Sequence, residues 1–125
     1  MTSAKENYLK VIFVMVSNGQ QAQVSQIAAK LNVTRASVSR TIKSLQKEGL
    51  INHHNYGPVY LTIDGMKIAK MLINRNRTIQ DFLTNLLEID SDTAQKDACQ
   101  IEHTISHITT VQLAKYLQTI YNKNN

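Results

Sequence analysis

The chain has no tryptophan, one proline, one cysteine and four glycines in 125 residues. So little Pro and Gly excludes collagen-like and low-complexity chains and argues against a β-sandwich. A single cysteine, Cys99, cannot close an internal disulfide, so a reducing cytoplasm is the expected setting. Aromatic residues are few, five Tyr and two Phe, which leaves the core mostly aliphatic. No apolar run is long enough to span a bilayer, and the polar, helix-prone opening MTSAKENYLK lacks the apolar segment of a signal peptide. Also missing are a glycine-rich phosphate loop, a CxxC pair and an HExxH pair. Cys99 and His103 could touch on a helix, but no third group orients them and no oxyanion-hole loop accompanies them, so no enzyme is expected.

Positive charge is what the chain has, and it is uneven. The net charge is +5; residues 1–65 hold seven Lys/Arg against three Asp/Glu, and residues 66–125 hold seven against six. The excess of +4 in the first half falls around the stretch Val24 to Glu48, VSQIAAKLNVTRASVSRTIKSLQKE. This stretch reads as two short helices across a tight turn. The first, roughly Ser25 to Leu31, is apolar at Ile27, Ala28 and Leu31. Asn32 and Val33 make the turn, and Thr34 is a suitable N-cap for the second helix. That helix buries Val38, Ile42 and Leu45 on one side and carries Arg35, Ser37, Ser39, Arg40, Lys43 and Ser44 on the other. A basic, hydroxyl-rich helix braced by a second helix suits reading of the DNA major groove. Thr34, Ala36, Ser39 and Arg40 are the expected groove contacts, with Arg40 suited to bidentate guanine recognition. Arg35, Ser37 and Lys43 are expected at phosphates or the groove edge. An interaction module that had lost DNA binding would have less reason to keep this face basic.

The flanking segments complete a winged helix. Ser3-Ala4-Lys5-Glu6 has the capping-box pattern before a helix over about Ala4 to Ser17, closed by Asn18-Gly19. After Gly49, two β-prone segments at Leu50–His53 and Val59–Leu61 flank the turn Asn55-Tyr56-Gly57-Pro58. His53 and His54 sit in this wing, as solvated residues with a possible phosphate contact. Thr62 caps a long helix reaching about Leu87. Asp90 caps a further one over about Ser91 to Ile105, and Ser106 a last one over about Thr109 to Tyr121, with Asn122–Asn125 expected to fray. The fold class is mainly α: a winged helix-turn-helix with a small β-hairpin wing over 1–64, then an all-α dimerisation domain over 65–125. About sixty residues build little core alone, so the second part is expected to pack on another copy. A dimer also suits a palindromic double-stranded operator.

One further cluster carries chemistry. Cys99, Glu102 and His103 stand at i, i+3 and i+4, which would place thiol, carboxylate and imidazole on one helical face, with His107 a turn beyond. That is a partial site for a transition metal; the plainer reading is a small buried Cys with Glu and His in a polar network.

These residues together resemble the diphtheria-toxin-repressor and manganese-transport-regulator family of metal-dependent transcription factors. The resemblance runs through Glu6-x-Tyr8-Leu9-x-x-Ile12, Ser37-Val38-Ser39, Gly49-Leu50, Leu61-Thr62-x-x-Gly65, Phe82-Leu83 and, most specifically, Asp97-Ala98-Cys99-x-x-Glu102-His103-x-x-Ser106. It covers nearly the whole chain and matches the compact form without an SH3-like domain. It implies a homodimeric regulator, a repressor by expectation, that binds its operator when loaded with Mn²⁺ or Fe²⁺. Cys99, Glu102 and His103 stand at ligand positions. Other family positions differ: Asn7 replaces Asp or Met, Lys10 replaces Glu, Asn76 replaces His, Gln80 replaces an acid and Gln95 replaces a second His. Neutral amides are weak ligands, and Lys10 could pair with Glu102 in place of an ion. The alternative mechanism on this scaffold is a degenerate metal site, with DNA binding that is metal-independent or redox-sensing at Cys99.

Overall fold

The computed structural model describes residues 1–124. Its elements, in order, are α1 (Ser3–Ser17), α2 (Val24–Leu31), α3 (Arg35–Lys47), β1 (Ile51–His53), β2 (Val59–Leu61), α4 (Ile63–Asp81), a π-helical turn (Phe82–Leu86), α5 (Ser91–Ile101) and α6 (His107–Asn124). The chain divides into two compact units, Met1–Met71 and Leu72 onward. The division falls inside α4 rather than at 64/65, because the first turns of α4 send Ala69 and Ile68 into the core of the first unit. Among the described residues no helix is long and apolar enough to cross a membrane.

In the first unit, α1 is capped by Thr2, whose hydroxyl accepts the Lys5 N–H at 3.2 Å. The cap thus lies one residue before the Ser3 of the capping-box pattern. Tyr8, Leu9, Ile12 and Met15 face inward from α1 and meet Ile27 and Ala28 of α2. Helix α2 opens with a reciprocal cap between Gln23 and Gln26, and closes at Asn32, whose φ of 56° is left-handed. Asn tolerates that conformation better than most residues because its short amide can bond locally. The chain therefore turns sharply, and Thr34 starts α3 by accepting the Ser37 N–H at 3.1 Å. Val38, Ile42 and Leu45 are buried along one face of α3.

Gly49, at φ 77°, turns the chain into the wing. Strands β1 and β2 pair antiparallel in the register Ile51↔Leu61, Asn52↔Tyr60 and His53↔Val59. Ile51 and Val59 are buried and Asn52 and Tyr60 exposed, the alternation of a sheet with one covered face. The Val59 N–H donates to the Ala22 carbonyl at 2.8 Å, so the segment before α2 adds a bridge to β2. The wing is fixed at its other end by Thr62, whose hydroxyl donates to the Gly49 carbonyl at 2.7 Å and accepts the Gly65 N–H at 3.1 Å.

In the second unit Ile79, Leu83, Ala94 and Ala98 are buried, with Phe82, Ile89, Ile101, Ile105 and Leu113 packed against them. The long helix expected through Leu87 is α-helical only to Asp81; a π turn follows, and Glu88 leaves it at φ 55°. The Thr84 hydroxyl of that turn donates back to the Gln80 carbonyl of α4 at 2.9 Å, and such back-bonding competes with the helical ladder. Helix α5 is shorter than expected. It is capped by Asp90, but it stops at Ile101, whose carbonyl accepts from the Thr104 N–H, the Ile105 N–H and the Thr104 hydroxyl at 2.9–3.1 Å. Ser106 accepts the Thr109 N–H at 3.1 Å and so starts α6 two residues earlier than expected. Helix α6 continues through Asn122 to Asn124; Asn125, also expected to fray, lies outside the described residues.

Candidate nucleic-acid interface

Burial of Val38, Ile42 and Leu45 turns the opposite side of α3 to solvent. Thr34, Arg35, Ala36, Ser39, Arg40 and Lys43 are all exposed, and Ser37 is half-buried. The helical repeat divides them into two rows. Arg35, Ser39 and Lys43 stand four residues apart and line a cleft of about 870 Å³ facing the wing. Ala36 and Arg40 form the neighbouring row. The Arg40 guanidinium reaches Ser37 Oγ at 3.5 Å, a long contact that leaves its other donors available. Thr34 Oγ1 is occupied as a cap acceptor, yet its hydroxyl proton remains a donor.

The far wall of the cleft was only partly legible. It consists of Gln23, Val24 and Ser25 at the start of α2 and His53, Asn55, Tyr56 and Gly57 of the wing. His53 is half-buried: its Nε2 lies 3.0 Å from the Gly57 carbonyl across the wing turn, so it is engaged rather than simply solvated. Asn55 and Tyr56 carry only a turn signal in the sequence. What could have marked Tyr56 is a large aromatic in a Gly/Asn-type turn position. Gln46 of α3 donates to the His53 carbonyl at 3.5 Å, which ties the wing to the helix beside it.

The cluster in the second unit differs from expectation. Because α5 ends at Ile101, Glu102 is its C-cap and His103 already lies in the following turn, with its N–H on Gln100 at 3.3 Å. Cys99 is exposed, whereas Glu102 is fully buried with an oxygen 3.6 Å from His103 Nε2. The reading of Cys99 as a small buried side chain therefore fails. Its sulfur accepts from the Asn76 amide at 3.7 Å, and Gln80 donates to the Asn76 amide oxygen. Two neutral amides and a thiol thus form a hydrogen-bonded chain. Among the described residues no group of three or more His, Cys, Asp or Glu is placed to hold a metal ion. Thiol, carboxylate and imidazole are donor types that a transition ion accepts, whereas the Asn76 and Gln80 amides are weak ones. Asn7 and Lys10 belong to α1 of the first unit and Glu102 to the second. Gln95 is exposed on α5.

Comparison with known proteins places both units. Residues 1–59 match the family model described as the N-terminal DNA-binding domain of iron-dependent repressors, and residues 62–123 match their metal-binding and dimerisation domain. The helix-turn-helix transcriptional regulator MntR of Shouchella clausii is 33% identical over 105 residues, spanning 84% of this chain and 73% of its own. An uncharacterised helix-turn-helix transcriptional regulator of Methanocaldococcus jannaschii is 28% identical over 124 residues, 98% of this chain and 99% of its own. The solved structure of the manganese regulator SloR superposes with a TM-score of 0.83 at 33% identity, covering 94% of this chain; the chain spans 55% of SloR's length. These relatives regulate transcription and are not enzymes. The exposed basic face of α3 beside its wing agrees with that assignment, and the chain belongs to the iron-dependent repressor family of DNA-binding, dimerising transcriptional regulators.

Proposed function

We propose that this protein is a cytoplasmic repressor that binds a palindromic operator as a homodimer and responds to a divalent ion such as Mn²⁺ or Fe²⁺. The observation that carries the DNA reading is the solvent face of α3, where Arg35, Ser39, Lys43 and Arg40 stand clear of the core on a helix held from both sides. Helix α3 enters the major groove. Thr34, Ala36, Ser39 and Arg40 meet base edges, and Arg40 pairs with guanine through two parallel hydrogen bonds. Arg35, Ser37 and Lys43 meet phosphates, where each cation displaces condensed counterions. Two copies present two such helices to the halves of one symmetric site.

The metal response is supported by the family model, described as a metal-binding and dimerisation domain, and by similar solved structures titled as manganese regulators or manganese-activated repressors. They favour it over a metal-independent or redox-sensing mechanism. Cys99, Glu102 and His103 are the side chains proposed to contribute. When bound, the ion supplies a fixed positive charge. The chain's own residues otherwise act as described, with the buried Glu102 beside His103. Gel shifts on fragments of genomic DNA, run with EDTA and with Mn²⁺, Fe²⁺ or Zn²⁺ restored, test the proposal. Binding is expected to fall in EDTA and to return with Mn²⁺ or Fe²⁺, and Glu102→Gln and Cys99→Ser should weaken the return. Full binding in EDTA would overturn the metal response and leave the DNA reading standing.

A further inference from the structure

Folding alone does not account for Tyr56. Its side chain is fully exposed, at 101% relative accessibility, so it buries nothing in its own chain. Its backbone is left-handed, at φ 58°, a conformation that side-chain-bearing residues other than Asn and Asp rarely adopt and that a glycine would take without strain. A large aromatic thus occupies a strained position in the wing turn and gains no packing there.

The turn that carries it is nevertheless held. The Gly57 N–H donates to the His54 carbonyl at 3.0 Å. His53 Nε2 sits 3.0 Å from the Gly57 carbonyl; a carbonyl only accepts, so Nε2 carries the proton. The Gln46 amide, reaching the His53 carbonyl at 3.5 Å, links this clasp to α3. Tyr56 also lines the cleft shared with Arg35, Ser39 and Lys43. A neutral phenol presents one O–H donor and a flat face beside two cations. Arg35 and Lys43 would draw a phosphate backbone into the cleft, and the phenol can then donate to a phosphate or sugar oxygen without adding charge.

We propose that Tyr56 is a DNA-contacting residue whose hydroxyl meets the sugar–phosphate backbone flanking the bases faced by α3. His53 is its positioning residue, through the bond that closes the wing turn. This rests on the operator-binding reading above and adds to it a wing contact that the recognition helix does not supply.

The test uses the full-length homodimer with Mn²⁺ and a labelled duplex of roughly three helical turns, recovered by the unaltered protein from a randomised pool. Tyr56→Phe should weaken binding about five-fold, the weight of one neutral hydrogen bond, and Tyr56→Ala by about ten-fold. The salt dependence should keep its slope in both, because a phenol displaces no counterion, whereas Lys43→Ala should reduce the slope by about one. His53→Ala should weaken binding only while Tyr56 is present, and His53→Gln, which keeps an N–H donor, should restore it. The thermal midpoint should not move for either Tyr56 variant, since the ring is exposed. Tyr56→Phe at unaltered affinity would overturn the hydroxyl contact, and Tyr56→Ala at unaltered affinity would overturn the proposal altogether. A loss from His53→Ala that persists undiminished beside Tyr56→Ala would remove His53 from it. Failure of the unaltered protein to retain any duplex would overturn the operator reading itself, a separate result.

Discussion

Gly65→Ala makes the sharpest test of how the wing is joined to α4. A Cβ built at position 65 falls well inside contact distance of the Leu50 carbonyl oxygen, and lies 3.1 Å from the carbonyl carbon and 3.4 Å from Leu61 Cδ2. The first two are backbone atoms and cannot swing aside as a side chain would. The same carbonyl accepts the Thr62 N–H at 3.1 Å, so displacing it breaks the bond that leads the wing into the helix. Loss of that bond costs about 1 kcal/mol, and the forced backbone shift about 1–3 kcal/mol. Better helix propensity of Ala returns about 1 kcal/mol. The net expectation is a destabilisation of about 1–3 kcal/mol. Urea unfolding followed by far-ultraviolet circular dichroism reads this directly. With a slope of about 1–3 kcal/mol per molar urea, the midpoint should fall by roughly 1 M. A midpoint equal to or above that of the unaltered protein, at unchanged slope, would show that the Leu50 carbonyl yields without cost and that the close approach does not require glycine.

Arg40→Ala should lose about 1–3 kcal/mol of operator affinity and relax the preference at one base position; titration of variant duplexes that showed unchanged affinity would remove Arg40 from the reading set. Thr34→Ala removes the cap on the Ser37 N–H and should lower unfolding stability by about 1 kcal/mol; an unmoved urea midpoint would argue that water replaces the cap without loss. The backbone N–H of Thr93, and then its hydroxyl, donate to Asp90 and hold its carboxyl below the ordinary range. A depressed folded-state value gives stability that is present above the ordinary carboxylate pKa and lost as pH falls through the folded one. The first turn of α5 should therefore exchange its amides faster below about pH 4, and Asp90→Asn should flatten that dependence; equal acid profiles for the two proteins would refute it.

Much of the first unit was legible because its signals are local. Thr34 capped the helix it was expected to cap, Val38, Ile42 and Leu45 turned inward together, and Gly57-Pro58 marked the wing turn. The cleft was less so: Gln23 and Tyr56 join Arg35 only in space, and no spacing rule connects them. The second unit departs from expectation where the backbone leaves the α-helical repeat. An i, i+3, i+4 spacing for Cys99, Glu102 and His103 carries no information on burial: α5 ends at Ile101, and its C-cap Glu102 is buried while Cys99 is exposed. Leu83 is buried while Leu87, four positions on and past the π turn, is 52% exposed.

The turn at Phe82–Leu86 also bears on how this chain tolerates changes of length. A π turn spans one residue more than the α turn it replaces, and the Leu87 N–H accordingly reaches back five positions to the Phe82 carbonyl at 3.3 Å. Each helical residue advances the direction of its side chain by about 100°. One deletion within 82–86 would absorb the surplus residue and extend α4 in regular form, with the Ile89–Asp90 corner kept in phase. The same deletion a turn earlier, between Ile73 and Ile79, would meet no surplus residue and would shift every later side chain by about 100° against the start of α4. The surplus residue therefore marks a place in the long helix where a chain could lose a single residue and keep the later turns in regular form.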